Sequence, residues 1–205
     1  MRTRLAVGAS AIALAACATT QLEGQWVNPD YGGRSLRGAP VLVACEARET
    51  TLQRICEDQM AAQIAALGGT PTRQWQLAET ATEPATGTDP YRAAAGRIGA
   101  RAIVRTALSP AAAVAAPAGP TIGIGVGGGS GGRGGGLGGF GGISFPIGGT
   151  RVSSAYASET ALIDPANGAI MWSARATGNA SEDVTGQIAE LARTAADAIR
   201  QAGFF

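Results

Sequence analysis

Residues 123–142, GIGVGGGSGGRGGGLGGFGG, set the first limit on what this chain can fold into. Each glycine costs about 1 kcal/mol against alanine inside a helix, and glycine in a strand offers no side chain to pack. A core element cannot run through this stretch, so a folded domain must be assembled from what lies before and after it. Gly123, Gly125 and Gly128 do satisfy G-x-G-x-x-G, the dinucleotide-binding spacing. That turn normally follows a first strand, opens a helix, and is answered by an acidic residue about 20 positions later. None of that context is present, nor is any G-K-[ST] or any lysine. The stretch reads as a loop, with no nucleotide and no other cofactor expected.

The compositional break is wider than the glycine run. From 110 to 150 the chain is almost wholly Ala, Pro and Gly with scattered Ile, Val, Leu and Phe. Residues 121–126 and 143–147 each alternate and can pair as a hairpin with a glycine tip. The weakness of glycine in strands favours an insert without regular structure.

On either side the periodicities are clear. Residues 39–47 (APVLVACEA) form a short apolar run suited to a buried strand. Residues 49–67 place Leu52, Cys56, Met60, Ile64 and Leu67 on one helical stripe, with Gly68 and Gly69 as the stop. Residues 73–79 alternate as a second strand, and 80–88 are loop. Asp89 and Pro90 open a short helix through Ile98, and residues 101–108 make a third strand. Beyond the insert, residues 153–163 and 169–178 read as two strands joined by the turn Asp164-Pro165-Ala166-Asn167-Gly168. Residues 183–201 form an amphipathic helix with Val184, Ile188, Leu191, Ala195 and Ile199 inward and Ser181 or Glu182 at its cap. The order β-α-β-α-β, insert, β-β-α predicts an α/β fold: a two-layer sandwich whose mixed sheet carries helices on one face. One domain over 39–205 is expected, with the insert at about 110–150.

The first residues, MRTRLAVGASAIALAACATT, carry an address. Arg2 and Arg4 precede an apolar run at 5–16, too short for the roughly 20 residues of a membrane span. Leu14-Ala15-Ala16-Cys17 resembles the lipobox of bacterial lipoproteins. That resemblance implies a signal peptide at 1–16, cleavage before Cys17, a diacylglycerol on its thiol and an acyl chain on the new amino terminus. Two or three acyl chains, at about 0.8 kcal/mol per buried CH₂, hold a protein on a bilayer almost permanently. Ala18 and Thr19 lack the aspartate that marks inner-membrane retention in such proteins, which implies the outer membrane, facing the periplasm. Residues 17–38 then read as a polar lipidated tether. Trp26 and Tyr31 are its large apolar groups, either packed back on the domain or held out, at the lipid interface or as a candidate partner surface.

Charge and missing residue types narrow the chemistry. Sixteen basic against fifteen acidic side chains is no nucleic-acid footprint. The chain has no histidine, which removes Ser-His-Asp and Cys-His catalysis and the commonest metal ligand. Cys45 and Cys56, the pair left after Cys17, are either a disulfide or two small buried hydrophobes. The roughly 10 Å between packed layers, against the 7 Å limit between bridged Cα atoms, favours the second. Glu57 and Asp58 point about 100° apart on a helix and do not converge as an acid/base pair, and Arg54 with Asp58 at i,i+4 reads as a surface ion pair. Glu46 and Arg48 read as a solvated strand end, and Trp75 and Trp172 as core. No catalytic residue and no metal site is expected.

The same residues resemble a family of small bacterial envelope lipoproteins. Its marks are a Trp-containing tether (Trp26-Val27-Asn28-Pro29), a helix with an Arg-x-x-Glu-Asp box (Arg54, Glu57, Asp58), and an Ala-rich strand entry at 99–104. Its closing signature is Leu162-Ile163-Asp164 followed by Ile170-Met171-Trp172-Ser173-Ala174. The likeness covers most of residues 20–205, and many members carry a glycine- or tyrosine-rich insert between the third and fourth strands. Where members often have an aromatic inside the helix box, this chain has Cys56. In outline the fold is also similar to domains of the curli secretion lipoprotein, exopolysaccharide-export ring lipoproteins and penicillin-binding-protein activators. What the resemblance implies is a membrane-anchored binding or scaffolding protein, with a homo-oligomeric export ring or a ligand-binding protein or enzyme with an unrecognised pocket as alternatives.

Overall fold

A computed structural model of the protein describes residues 20–78, 89–117, 121–124, 143–146 and 150–205. Residues 1–16, read as a signal peptide, Cys17, residues 80–88, read as a loop, and the glycine run at 125–142 fall outside the described residues. Six strands form one mixed sheet: β1 (Gln21–Val27), β2 (Pro40–Glu46), β3 (Thr70–Arg73), β4 (Ala102–Pro117), β7 (Thr150–Ile163) and β8 (Ile170–Thr177), in the order β1-β8-β7-β4-β2-β3. A separate antiparallel pair, β5 (Thr121–Ile124) and β6 (Ile143–Pro146), lies between β4 and β7 in the chain. The hairpin reading of that segment, and not the unstructured one, describes these eight positions.

The α/β sandwich with a mixed sheet is present, and its second layer is built by α1 (Thr50–Ala66) and α4 (Val184–Gln201). Val41, Val43, Val104, Leu162 and Trp172 meet Met60, Ile64, Ala195 and Ile199 in one cluster. Burying each large apolar side chain stabilises the fold by about 1.5–3 kcal/mol. Helix α4 starts on Asp183, whose Oδ1 accepts the Gly186 N–H at 2.9 Å; Ser181 supports that cap by accepting the Asp183 N–H at 3.0 Å.

The short helix α3 (Pro90–Arg97) lies on the opposite face, and this corrects the expectation of helices on one face only. Leu42 and Ile103, which alternate with the residues facing α1, pack with Ala94 and Ala95 instead. Strand order supplies the reason. The chain leaves β2 for one parallel neighbour, β3, and then crosses back to the other, β4. Right-handed crossovers in opposite directions put their helices on opposite faces. Strand β2 is therefore covered on both sides, which is why VLVAC reads as a continuous apolar run.

Three further boundaries differ from the sequence reading. Residues 74–78 are a short helix, α2 (Gln74–Ala78), not a continuation of the second strand; the Glu57 side chain from α1 accepts its Trp75 N–H. Strand β4 runs on past 108 to Pro117, paired with β7 down to Thr150, and its register shifts between Pro110 and Ala112. A bulge of this kind accommodates a proline within a ladder, so the insert begins after 117, not at 110. Residues 21–38 are also not a tether. Strand β1 pairs with β8 as the sheet's edge, Pro29–Tyr31 forms a 3-10 turn, and Leu36 is fully buried in the core.

Candidate functional site

The Arg-x-x-Glu-Asp box is a latch. Glu57 is 0% exposed. Its carboxylate accepts the Cys45 N–H from the end of β2 at 3.3 Å and the Trp75 N–H from the start of α2 at 3.1 Å. Those two strand ends diverge here because their connections run to opposite faces, a place where open α/β sheets commonly bind ligands. In this chain the Glu57 side chain fills it. Burial pushes the Glu57 carboxyl above its ordinary range, partly offset by the N–H donors of Trp75 and Cys45. Arg54 does not pair with Asp58 as expected: its guanidinium lies 5.0 Å from the Trp75 ring centre. Asp58 reaches Arg73 instead at 2.5 Å, an ion pair by proximity and not aligned as a hydrogen bond. The three box residues thus fasten α1 to the β3–α2 corner.

Beside the latch, Cys45 and Cys56 are joined as a disulfide with Cα atoms 6.1 Å apart. The layer-spacing argument against a bridge does not hold at this point. Only residues 47–49 separate β2 from α1, so strand and helix converge there before reaching their mean separation.

The closing signature is a second latch. Asp164 Oδ1 accepts the Ala166 N–H at 2.9 Å, and Oδ2 accepts from Arg34 at 2.7 Å. Burial raises the Asp164 carboxyl, but these donors more than offset it and hold it below the usual range. Gly168 closes the turn at φ +77°, a conformation that glycine adopts freely. Tyr31 packs against the core and its hydroxyl accepts from Asn167 at 2.9 Å. Trp172 is fully buried and donates its indole N–H to Gln25 at 3.1 Å, which pins β1 to the sheet.

Trp26 parts company with Tyr31. It stands 51% exposed on the edge strand, with Leu22, Val27 and Ile170 also exposed. It walls a shallow groove of about 430 Å³ with Glu23, Gln25, Glu159, Ser173 and Arg175. The groove exists because α3 covers only the β2–β4–β7 end of that sheet face. Charges of alternating sign run from the rim of α3 across the uncovered part. Glu46 accepts from Tyr91 at 2.8 Å and lies 3.9 Å from Arg105. Glu159 stands opposite Arg175 across the ladder, and Arg175 pairs with Glu23 at 2.9 Å. Glu23 also accepts from Thr177, and with Arg175 this holds its carboxyl below its ordinary value. Desolvation and the Glu46 carboxylate push the Tyr91 hydroxyl up to about 12, so it stays a donor at neutral pH.

Sequence reasoning selected Trp26 but missed Glu159, Ser173 and Arg175 beside it. Their signal was the polar half of the alternation in 153–163 and 169–178, which was read only as two strands of a hairpin. Among the described residues, no group of three His, Cys, Asp or Glu side chains is placed to hold a metal ion. What the face can do is dock a flat, partly apolar partner: an aromatic wall, small side chains at its floor and charges of both signs at its rim.

No protein-family model matches the chain, and no curated protein matches it in sequence. Among solved structures it is similar to the PelC dodecamer from Paraburkholderia phytofirmans, at 17% identity and a TM-score of 0.45, covering 85% of this chain and 96% of that one. It is also similar to the lipoprotein GNA1162 from Neisseria meningitidis, at 13% identity and a TM-score of 0.40, covering 80% of this chain and 95% of that one. Both TM-scores lie below 0.5, so what those two proteins do is not carried over to this chain.

Proposed function

We propose that the protein is a lipoprotein anchored through Cys17 in the outer membrane, with its domain in the periplasm, and that it binds or scaffolds another envelope component without catalysing a reaction. The observation that carries this reading is the edge strand β1. It begins four positions after Cys17, offers an edge that no described strand pairs with, and exposes Leu22, Trp26 and Val27 beside the groove. Exposed sheet edges are templates for pairing and are normally blunted by charge, proline or a covering element. Here Glu23 is the only charged residue on the edge strand.

Photo-cross-linking in cells tests it. A cross-linking residue in place of Trp26 is expected to give a defined adduct, and one in place of Gln201, at the far end of α4, is not. An adduct of twice the chain mass identifies a second copy as the partner; any other defined mass identifies a different component. No adduct at 26 would end the partner reading. Cys17→Ala tests the anchor separately, with an unprocessed or soluble protein expected.

A further inference from the structure

Among the described residues the exposed large hydrophobic side chains gather in one place. Leu22, Trp26 and Val27 lie on β1, and Ile170 is the first residue of its neighbour β8. A sheet edge that carries such a patch needs a cover, and the layout of the edge selects which.

Asn28 donates its N–H to the Met171 carbonyl at 2.9 Å. Backbone groups alternate along an antiparallel strand, so those of Asn28, Trp26 and Gly24 turn to β8, and those of Val27 and Gln25 turn outward. An incoming strand therefore finds its hydrogen-bonding partners at Gln25 and Val27. On either side of Gln25, Trp26 and Gly24 oppose Ser173 and Arg175 in the ladder and line the same groove. One is the largest side chain on the edge and the other has none. A Cβ added to Gly24 meets nothing within 4 Å, so the space above it is open.

A two-fold axis at Gln25 exchanges these two positions between copies. Gln25 of each copy then bonds backbone to backbone with Gln25 of the other. Trp26 stands opposite Gly24 in a non-hydrogen-bonded pair, where side chains approach most closely. The indole enters the groove of about 430 Å³ above the glycine, beside Arg175. Glu23 falls opposite Val27, so like charges do not face each other across the seam. A register slipped by one residue turns indole and glycine to opposite faces. A register centred on Trp26 sets ring against ring and leaves the groove unfilled.

We infer that the partner at β1 is a second copy of this chain, the two edge strands pairing antiparallel about Gln25 with the Trp26 indole of each over Gly24 of the other. This rests on the reading of the edge as a partner site and commits it to one occupant. The seam is shorter than a stable interface needs in free solution, but two copies anchored in one leaflet meet at a raised effective concentration. Their amino termini leave the seam at opposite ends, so a two-fold axis along the membrane normal lets both Cys17 anchors reach that leaflet.

The test uses the full lipidated chain in vesicles of phosphatidylethanolamine and phosphatidylglycerol. With Cys17 acylated and Cys45 bonded to Cys56, a cysteine introduced by Gln21→Cys is the single reactive thiol and carries a spin label. Pulsed dipolar spectroscopy is expected to read one defined separation of about 27 Å, eight residue steps along the paired strands. Gly24→Leu, which the single chain accommodates, and Trp26→Ala are each expected to abolish that separation. The double variant, with leucine facing alanine at both contacts, is expected to restore it. Urea midpoints of Gly24→Leu and the unmodified chain should agree, which keeps loss of the pair apart from loss of the fold. Vesicles that hold the protein but show no defined separation would refute the second copy and leave the anchor standing. A separation that survives Gly24→Leu, or a double variant no better than the single ones, would overturn the packing of indole on glycine. The cross-link at position 26 tells the two readings apart: an adduct of a mass other than twice the chain refutes the second copy alone, and no adduct refutes the partner site with it.

Discussion

Glu57 and Trp75 are joined side chain to backbone, the buried carboxylate accepting the indole residue's N–H at 3.1 Å while it also holds the Cys45 N–H. A buried donor left without an acceptor costs about 1–3 kcal/mol. Glu57→Ala strands two donors at once and is expected to destabilise the fold by about 2–6 kcal/mol on that basis. Glu57→Gln keeps one acceptor oxygen and is expected to cost clearly less. Urea unfolding of the two variants separates them, and equal losses would mean that the N–H bonds are not what Glu57 contributes. The pH dependence has a definite sign. The folded carboxyl titrates above its unfolded value because of burial. Its contribution is therefore fully present below the unfolded pKa and lost as pH rises through the folded one. Glu57→Gln should remove that decline across the weakly acidic range.

Arg34 and Asp164 give the opposite sign. Asp164 is held below its unfolded value, so its stabilisation is present at neutral pH and lost as pH falls through the folded pKa. Arg34 is a third exposed, so its charge-assisted bond is discounted for solvent to about 1 kcal/mol. Arg34→Ala should cost that much at pH 7 and little once Asp164 is protonated. The same loss at both pH values would assign Arg34's effect to its packing on Tyr31.

The Cys45–Cys56 bridge closes a loop with a sequence separation of 11. Chain-entropy reasoning gives a loop of that size about 2–3 kcal/mol. The double substitution of both cysteines by serine should lower the urea midpoint accordingly, and a reductant should do the same to the unmodified protein without changing the variant. A reductant that lowers both equally would place its effect elsewhere.

Legibility in the sequence followed the range of the forces involved. Helix α4 was readable because Ile188, Leu191 and Ile199 recur at helical spacing and face one core. The β7–β8 hairpin was readable because its turn is satisfied locally by Asp164 and Gly168. Strand β1 was not, since all seven of its residues are exposed and what docks it is remote: Gln25 on Trp172 and Glu23 on Arg175. Helix α2 was hidden for the same reason, the N–H of its second residue, Trp75, being met by Glu57 from α1. The groove beside Trp26 escaped because it depends on where α3 stops, a property of crossover topology and not of any local motif.

The β4–β7 ladder makes a last prediction about what the glycine insert contributes to the fold. The core pairs of the two strands, from Ile103 with Ile163 to Ser109 with Ala157, are complete before the register shift that follows Pro110. At the far end Pro117 stands opposite Thr150, so a short turn can close the hairpin there. Replacing residues 118–149 by a four-residue turn shortens the loop about eightfold, and loop-closure entropy then favours folding by about 2 kcal/mol. Core contacts among β2, β4, β7, α1 and α4 are untouched. The shortened chain is therefore expected to unfold cooperatively with a urea midpoint equal to or above that of the full protein. A lower midpoint, or loss of the single cooperative transition, would mean that residues 118–149 contribute to the stability of the domain.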